Sequence, residues 1–207
     1  MSKKNVRNAL RIIGGRWRSR RIHFPTVDGL RPTTDRVRET VFNWLQQDIV
    51  GARCLDLFAG SGALGLEALS RGAAHCVFVE RQRAVVKYLH DTLRTLEEGH
   101  AQVLAMDARR FLRESAPEPF DVVFLDPPFD ADCLPEICRT LEQGGWLAPQ
   151  ACIYLEASSR TGALELPLEW TLTKSERAGA VGYHLARRLV RRLVRRTGLP
   201  TGERHET

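Results

Sequence analysis

No apolar run in these 207 residues approaches the length needed to cross a bilayer, and the first residues are polar and basic rather than a signal peptide's apolar core. The expected location is therefore the cytoplasm. Cysteine is sparse and poorly spaced: the five residues at 54, 76, 133, 138 and 152 contain no Cys-x-x-Cys pair. Cys54, Cys76 and Cys152 lie within apolar segments, as reduced core residues do. With six histidines at no recurring ligand spacing, no metal site is expected. Internal repeats and low-complexity segments are also missing, so the length fits one α/β domain with a short extension.

Acidic residues are missing from both ends. Residues 1–27 hold eight Lys/Arg and no Asp or Glu, and residues 177–202 hold seven Arg and no acid. The stretch between them has 15 basic and 23 acidic residues, so the net charge of +6 conceals an acidic body with basic ends. That segregation points to a polyanion gripped at the ends. The block Arg11-Ile12-Ile13-Gly14-Gly15-Arg16-Trp17-Arg18-Ser19-Arg20-Arg21 alternates apolar and basic residues around Gly-Gly, which predicts a β-hairpin with a cationic face and Trp17 free to stack a base.

The most informative stretch is Asp126-Pro127-Pro128-Phe129, which follows the apolar run Val122-Val123-Phe124-Leu125. Two successive prolines continue neither a central strand nor a helix, so the chain leaves the sheet there. An acid, a fixed carbonyl and an aromatic ring then share the carboxyl end of a buried strand, where open α/β sheets bind ligands. Asp126 and the Pro127 carbonyl can accept both hydrogens of one amino group while Phe129 stacks on a flat base. The plainer alternative is a proline turn with Asp126 as a helix cap and Phe129 in the core.

Upstream, Cys54 to Phe58 reads as a strand running into Gly60-Ser61-Gly62 and then into a helix over 63–70. Gly60, Gly62 and Gly65 fit G-x-G-x-x-G, which raises a dinucleotide oxidoreductase as a rival. Asp56 argues against it, because a carboxylate four residues before the loop repels a pyrophosphate. The same acid suits S-adenosylmethionine, whose sulfonium and ammonium are cations. Glu80 ends the next predicted strand, 18 residues after Gly62, placed to accept the ribose hydroxyls. Asp107 ends the third, placed either to accept from the adenine amino group or to cap the helix beginning at Ala108.

Elsewhere the pattern predicts a helix from Thr34 or Asp35 with Val37, Val41, Phe42 and Leu45 as its apolar stripe. Arg36, Arg38 and Glu39 are left either solvated or reaching the donor pocket. Helices at about 82–97, 108–115 and 131–143 alternate with strands at 120–125 and 150–157. Strands at 170–175 and 180–186 have only a turn between them. The expected fold is Rossmann-like: a seven-stranded, mostly parallel sheet with helices on both faces and an antiparallel edge hairpin. The expected division is a basic RNA-binding hairpin over 1–30, a methyltransferase domain over 31–186, and a basic tail over 187–207, with Arg187 to Arg196 as an extension of the last strand or a short helix.

From about Arg11 to Tyr183 the chain resembles the bacterial RsmD family, methyltransferases of a guanine N2 in 16S ribosomal RNA. The resemblance rests on Arg11-Ile-Ile-Gly-Gly-x-Trp-Arg, Leu30-Arg-Pro-Thr-Thr-Asp-Arg-Val-Arg-Glu-Thr, Asp56-Leu-Phe-Ala-Gly-Ser-Gly-Ala-Leu-Gly and Asp126-Pro-Pro-Phe. The glycine loop and Asp-Pro-Pro-Phe are common to many amino-methyltransferases, whereas the Arg-Pro-Thr-Thr-Asp block is far more specific. The resemblance implies a class I methyltransferase fold and S-adenosylmethionine without metal. Its donor pocket would be built from Asp56, Phe58, Ala59, Gly60, Gly62, Glu80, Asp107, Ala108 and Asp126, with Asp126, Pro127 and Phe129 at the amine. RNA contact is expected from Arg11, Arg16, Trp17, Arg18, Arg20, Arg21 and Arg36, and the partner is 16S rRNA in a 30S assembly intermediate, met by a monomer. The rivals are an adenine-N6 methyltransferase and a silent assembly factor.

Overall fold

The structure is a computed structural model that describes residues 8–27, 32–128, 133–160 and 162–189. Five strands form a parallel sheet: β3 (Arg53–Asp56), β4 (His75–Glu80), β5 (Ala101–Ala105), β6 (Phe120–Leu125) and β7 (Leu147–Ser158). Two further strands, β8 (Trp170–Ala178) and β9 (Val181–Arg188), complete a seven-stranded sheet in the order β5-β4-β3-β6-β7-β9-β8, with β9 antiparallel to both its neighbours. This is the expected edge hairpin, closed by Gly179 in the left-handed region (φ 62°).

Alternation along the strands divides the core in two. Cys54, Cys76, Phe78, Val122, Phe124, Cys152 and Tyr154 face α1 (Asp35–Trp44), α2 (Ala63–Ser70) and α3 (Arg83–Thr95). Leu55, Val77, Val79, Val123, Leu125, Ile153 and Leu155 face α4 (Ala108–Glu114) and α5 (Leu134–Gln143). Strands buried on both faces need continuous apolar runs, which is why Val122 to Leu125 carries no polar residue. All five cysteines are free and buried. Among the described residues no helix is long and apolar enough to cross a membrane.

Strand β7 begins three residues earlier than expected. Pro149 lies inside it and has no N–H for the ladder, and the β6–β7 register shifts between Phe120 and Val122 to accommodate it. Strand β9 runs through Arg188, past the expected boundary at 186. Arg187 is held there by Asp48 (2.9 and 3.0 Å) and Arg188 by Glu142 (2.8 Å), so both belong to the sheet rather than to a tail. The rest of the arginine-rich tail lies outside the described residues.

The N-terminal segment is a hairpin, with β1 (Asn8–Arg11) antiparallel to β2 (Arg21–Phe24), but Gly14-Gly15 is not its tight turn. A nine-residue connection containing a 3-10 turn at Gly15–Trp17 links the strands. Leu10, Ile12, Trp17, Ile22 and Phe24 pack into the core cluster beneath α2 and α3, so the hairpin is seated on the domain. Trp17 is 5% exposed and its backbone N–H donates to Ser70 Oγ at 3.0 Å. The expected base-stacking role for Trp17 is therefore corrected: its ring is a core anchor, because an indole this deeply packed presents no open face to a base.

Candidate active site

Strand order places the switch point between β3 and β6: the chain moves outward from β3 through β4 to β5, then returns to β6 on the other side. A cavity of about 610 Å³ opens there at the carboxyl ends of the strands. Its lining includes Asp56, Phe58, Ala59, Gly60, Glu80, Asp107, Ala108, Asp126, Pro127 and Pro128. Of the residues expected in the donor pocket, all but Gly62 therefore lie on its wall, and that volume is in the range of about 300–1,000 Å³ that small-molecule sites occupy.

The glycine loop is a turn of two left-handed residues, Gly60 (φ 50°) and Gly62 (φ 74°), with Gly62 as the N-cap of α2. Gly62 thus shapes the loop without lining the cavity. Gly65 serves close packing: a Cβ there would lie 2.3 Å from the Phe78 ring, so α2 can approach β4 only with glycine at that position.

Each acid has a defined anchor. Asp56 is 2% exposed, and its Oδ2 accepts from the Gly65 N–H (3.0 Å), one of the unpaired amides of the first turn of α2. Burial pushes its carboxyl up to about 7, against the pull of that N–H, with the Glu80 charge adding to the rise. Glu80 accepts from Gly60 N–H at 3.0 Å through Oε2 and from Gln82 N–H at 2.7 Å through Oε1. Each oxygen keeps a lone pair for a ligand hydroxyl. Asp107 is exposed and caps α4 as expected, accepting from Arg109 N–H (2.9 Å), and it also lines the cavity.

Asp126 follows β6 directly, beside the end of β7. Burial raises its carboxyl well above the ordinary carboxylate range, with the Glu156 and Asp56 charges adding to the effect. Glu156, on β7, is also raised by burial and accepts from the Tyr154 hydroxyl at 2.7 Å. A cavity walled by desolvated carboxylates repels phosphates and attracts cations. Pro127 is buried and Pro128 exposed; Phe129 lies outside the described residues.

The expected RNA-contacting residues divide. Arg18, Arg20, Arg21 and Arg36 are exposed and form no ion pair among the described residues. Arg11 pairs with Asp35 (3.1 Å), while Arg16 pairs with Glu98 and lies 4.3 Å from the Trp17 ring centroid.

Arg38 is neither solvated nor in the pocket. It is fully buried and donates from Nε to Thr33 O (3.2 Å), from Nη1 to Glu67 Oε2 (3.0 Å), and from Nη2 to Arg11 O (2.8 Å) and Asp35 Oδ1 (2.7 Å). Glu67, also fully buried, accepts in addition from Ile13 N–H (2.9 Å), Gly14 N–H (2.7 Å) and Arg71 Nε (2.8 Å). This ion pair escaped sequence reasoning, although a signal exists. Arg38 falls beside Val37, Val41 and Phe42 on the buried stripe of α1, and Glu67 interrupts a helix otherwise made of small and apolar residues up to Ser70.

A switch-point cavity walled by strand-end acids, under a glycine turn, on this sheet order, defines a class I methyltransferase. The family described as "Conserved hypothetical protein 95" matches residues 10–187. Among curated proteins, ribosomal RNA small subunit methyltransferase D of Escherichia coli strain K12 is 50% identical over 179 residues, spanning 86% of this chain and 90% of its own length. The protein of that name from Haemophilus influenzae is 43% identical over 184 residues, 87% of this chain and 95% of its own. The solved structure of yhhF from Escherichia coli superposes with a TM-score of 0.82 at 50% identity, covering 88% of this chain and 99% of that one. The chain belongs to the RsmD family of methyltransferases.

Proposed function

We propose that this protein transfers a methyl group from S-adenosylmethionine to the exocyclic N2 amine of a guanine in 16S rRNA, within a 30S assembly intermediate in the cytoplasm. The observation that carries the reading is that Asp126-Pro127-Pro128 walls the same cavity as Asp56 and Glu80. An amine-accepting corner and a cation-accepting pocket thus share one space. The names of the relatives support ribosomal RNA as the substrate. The choice of guanine N2 rests on the family resemblance.

The cavity's buried acids fit the cationic donor, which when bound supplies an electrophilic methyl group on sulfur. Asp56 would face its charged amino-acid portion, Glu80 the ribose hydroxyls and Asp107 the adenine edge. At the acceptor side the amine is a poor nucleophile, because its lone pair is delocalised into the ring. Asp126 and the Pro127 carbonyl accept its two hydrogens, favouring a pyramidal nitrogen with a directed lone pair. Orientation of this kind is worth up to roughly 7–11 kcal/mol of barrier in well-placed systems. A carboxylate at Asp126 can also take the proton that leaves the methylated nitrogen. Phe129 is assigned to stack on the flipped base, replacing part of the lost stacking energy. Arg18, Arg20, Arg21 and Arg36 would hold phosphates around it, with a single copy of the chain engaging the particle.

The test is transfer of tritiated methyl groups to 30S particles and to naked 16S RNA from cells lacking this activity, followed by nucleoside analysis. N2-methylguanosine at one site is expected. N6-methyladenosine would retain the amine chemistry and overturn the base assignment. Asp126→Ala is expected to abolish methylation while donor affinity in calorimetry stays within about threefold of wild type, since binding and chemistry use separate groups. A parallel collapse of donor affinity would remove Asp126 from the acceptor side.

A further inference from the structure

The segment before α1 is the most family-specific part of the sequence, yet the chemistry above gives it no task. It enters the cavity: Pro32 and Thr33 lie on its wall together with the glycine loop. The Thr33 hydroxyl points at Asp126 Oδ2 across 3.4 Å, a long hydrogen bond of the kind that tightens when a catalytic complex forms. Thr33 is held from behind. Its carbonyl accepts from Arg38 Nε, and Arg38 is immobilised by Glu67, by Asp35 and by the carbonyl of Arg11 at the end of β1. Thr34 caps α1, fixing the next residue as well. One fully buried guanidinium therefore ties the hairpin, helix α2 and the cavity wall beside Asp126 to a common frame.

We propose that Thr33 is a positioning residue for the Asp126 carboxylate, aiming its Oδ2, and that Arg38 fixes Thr33 for this purpose. The inference rests on the assignment of Asp126 to the acceptor amine. Asp126 needs such a partner because its other neighbours oppose its charge. Asp56 from β3 and Glu156 from β7 add negative charge beside it, Glu156 itself accepting from the Tyr154 hydroxyl, and Cys133, Arg109 and Glu80 line the same cavity. The Thr33 hydroxyl draws the raised Asp126 carboxyl back toward ionisation, and it acts on the neighbouring Glu156 carboxyl in the same direction. A carboxylate without it would rotate freely about χ2 and stay protonated to a higher pH.

The test compares Thr33→Val, isosteric without the hydroxyl, with Thr33→Ser, using 30S particles as acceptor and calorimetry for S-adenosylmethionine. In Thr33→Val, kcat is expected to fall about tenfold to a hundredfold, the worth of one hydrogen bond to a charged group. The acidic limb of its kcat–pH profile should move to higher pH, with donor affinity unchanged. Thr33→Ser should restore both rate and limb. Wild-type kcat with an unmoved limb in Thr33→Val overturns the inference, as does a Thr33→Ser variant as slow as Thr33→Val, which would make the methyl group the contributor. Loss of donor affinity in parallel with rate would show general damage to the pocket and equally overturn it. Asp126→Ala, run alongside, separates the two levels. If it is inactive while Thr33→Val is normal, only the Thr33 inference falls. If it retains activity, the acceptor assignment itself is wrong.

Discussion

Glu67→Gln is the sharpest probe of how the hairpin is fastened. The substitution keeps shape and volume, so no cavity forms, but it removes the charge opposite Arg38 and turns an NH2 group toward donors. Four donors converge on this carboxylate: Ile13 N–H, Gly14 N–H, Arg38 Nη1 and Arg71 Nε, at 2.7–3.0 Å. Neither Arg38 nor Glu67 exposes its side chain. Breaking one partner of a buried pair typically costs about 3–5 kcal/mol, because the remaining charge stays desolvated. Asp35 still pairs with Arg38, at 2.7 Å, which places the expectation at the lower end, about 3 kcal/mol. For a chain of this size that is a fall in Tm of about 6–12 °C at roughly 2–4 °C per kcal/mol. Urea unfolding should show it as a lower midpoint with an unchanged slope. Hydrogen exchange should show the Ile13 and Gly14 amides losing protection before those of β3 or β6. Combined with Arg38→Met in a double-mutant cycle, a coupling of about 2–3 kcal/mol is expected. A loss below about 1 kcal/mol, or strict additivity, would refute the view that this pair seats the hairpin.

Gly15→Ala should be at least as damaging locally, since Gly15 has φ 74° and an added Cβ would meet Ser70 O at 1.7 Å, so β1 and β2 would have to lift from α2; near-ultraviolet circular dichroism of the buried Trp17 reports this. Asp56 titrates near 7, above its unfolded value of about 3.9, so the native state holds its proton longer and stability falls as pH rises from about 4 to 7, then levels. Asp56→Asn should shallow that slope by Asp56's share, leaving the part contributed by the raised carboxyls of Asp126 and Glu156. Donor affinity should run the other way in the wild type, rising as pH approaches about 7 because the cation favours the ionised acid, and it should be flat across this range in Asp56→Asn. A wild-type affinity independent of pH would separate Asp56 from the donor's charge.

Where the sequence was readable, a local pattern had a local cause. The glycine turn, the strand-end acids and the two prolines each announce a backbone event within a few residues, so these residues of the cavity wall are legible in the sequence. Arg38–Glu67 joins residues 29 apart, and Glu67 to Gly14 spans 53, so no window of the sequence contains the interaction. Trp17 was misjudged because an aromatic among arginines reads alike on a surface or over a core. What decides it is α2 presenting Ser70 to its backbone, a fact of docking. Arg187 and Arg188 looked like the start of a tail because their acidic partners, Asp48 and Glu142, are 139 and 46 residues away.

The same distinction corrects the reading of charge, with a measurable consequence. Counting residues made the whole N-terminal block a polyanion grip. The structure commits Arg11 to Asp35 and Arg16 to Glu98, leaving Arg18, Arg20, Arg21 and Arg36 exposed without ion pairs among the described residues. Each arginine that neutralises a phosphate of single-stranded RNA should contribute about −0.7 to the slope of log K against log salt concentration. Alanine at Arg18, Arg20 or Arg21 should therefore weaken RNA binding and flatten the slope by about that amount, with the stability of the protein unchanged. Arg16→Ala should leave the slope nearly intact and instead lower stability by up to about 1 kcal/mol, the worth of a partly exposed ion pair. Equal flattening of the slope by Arg16→Ala and Arg20→Ala would show that RNA draws Arg16 away from Glu98. The hairpin would then bind by rearranging its own contacts rather than by presenting a finished surface.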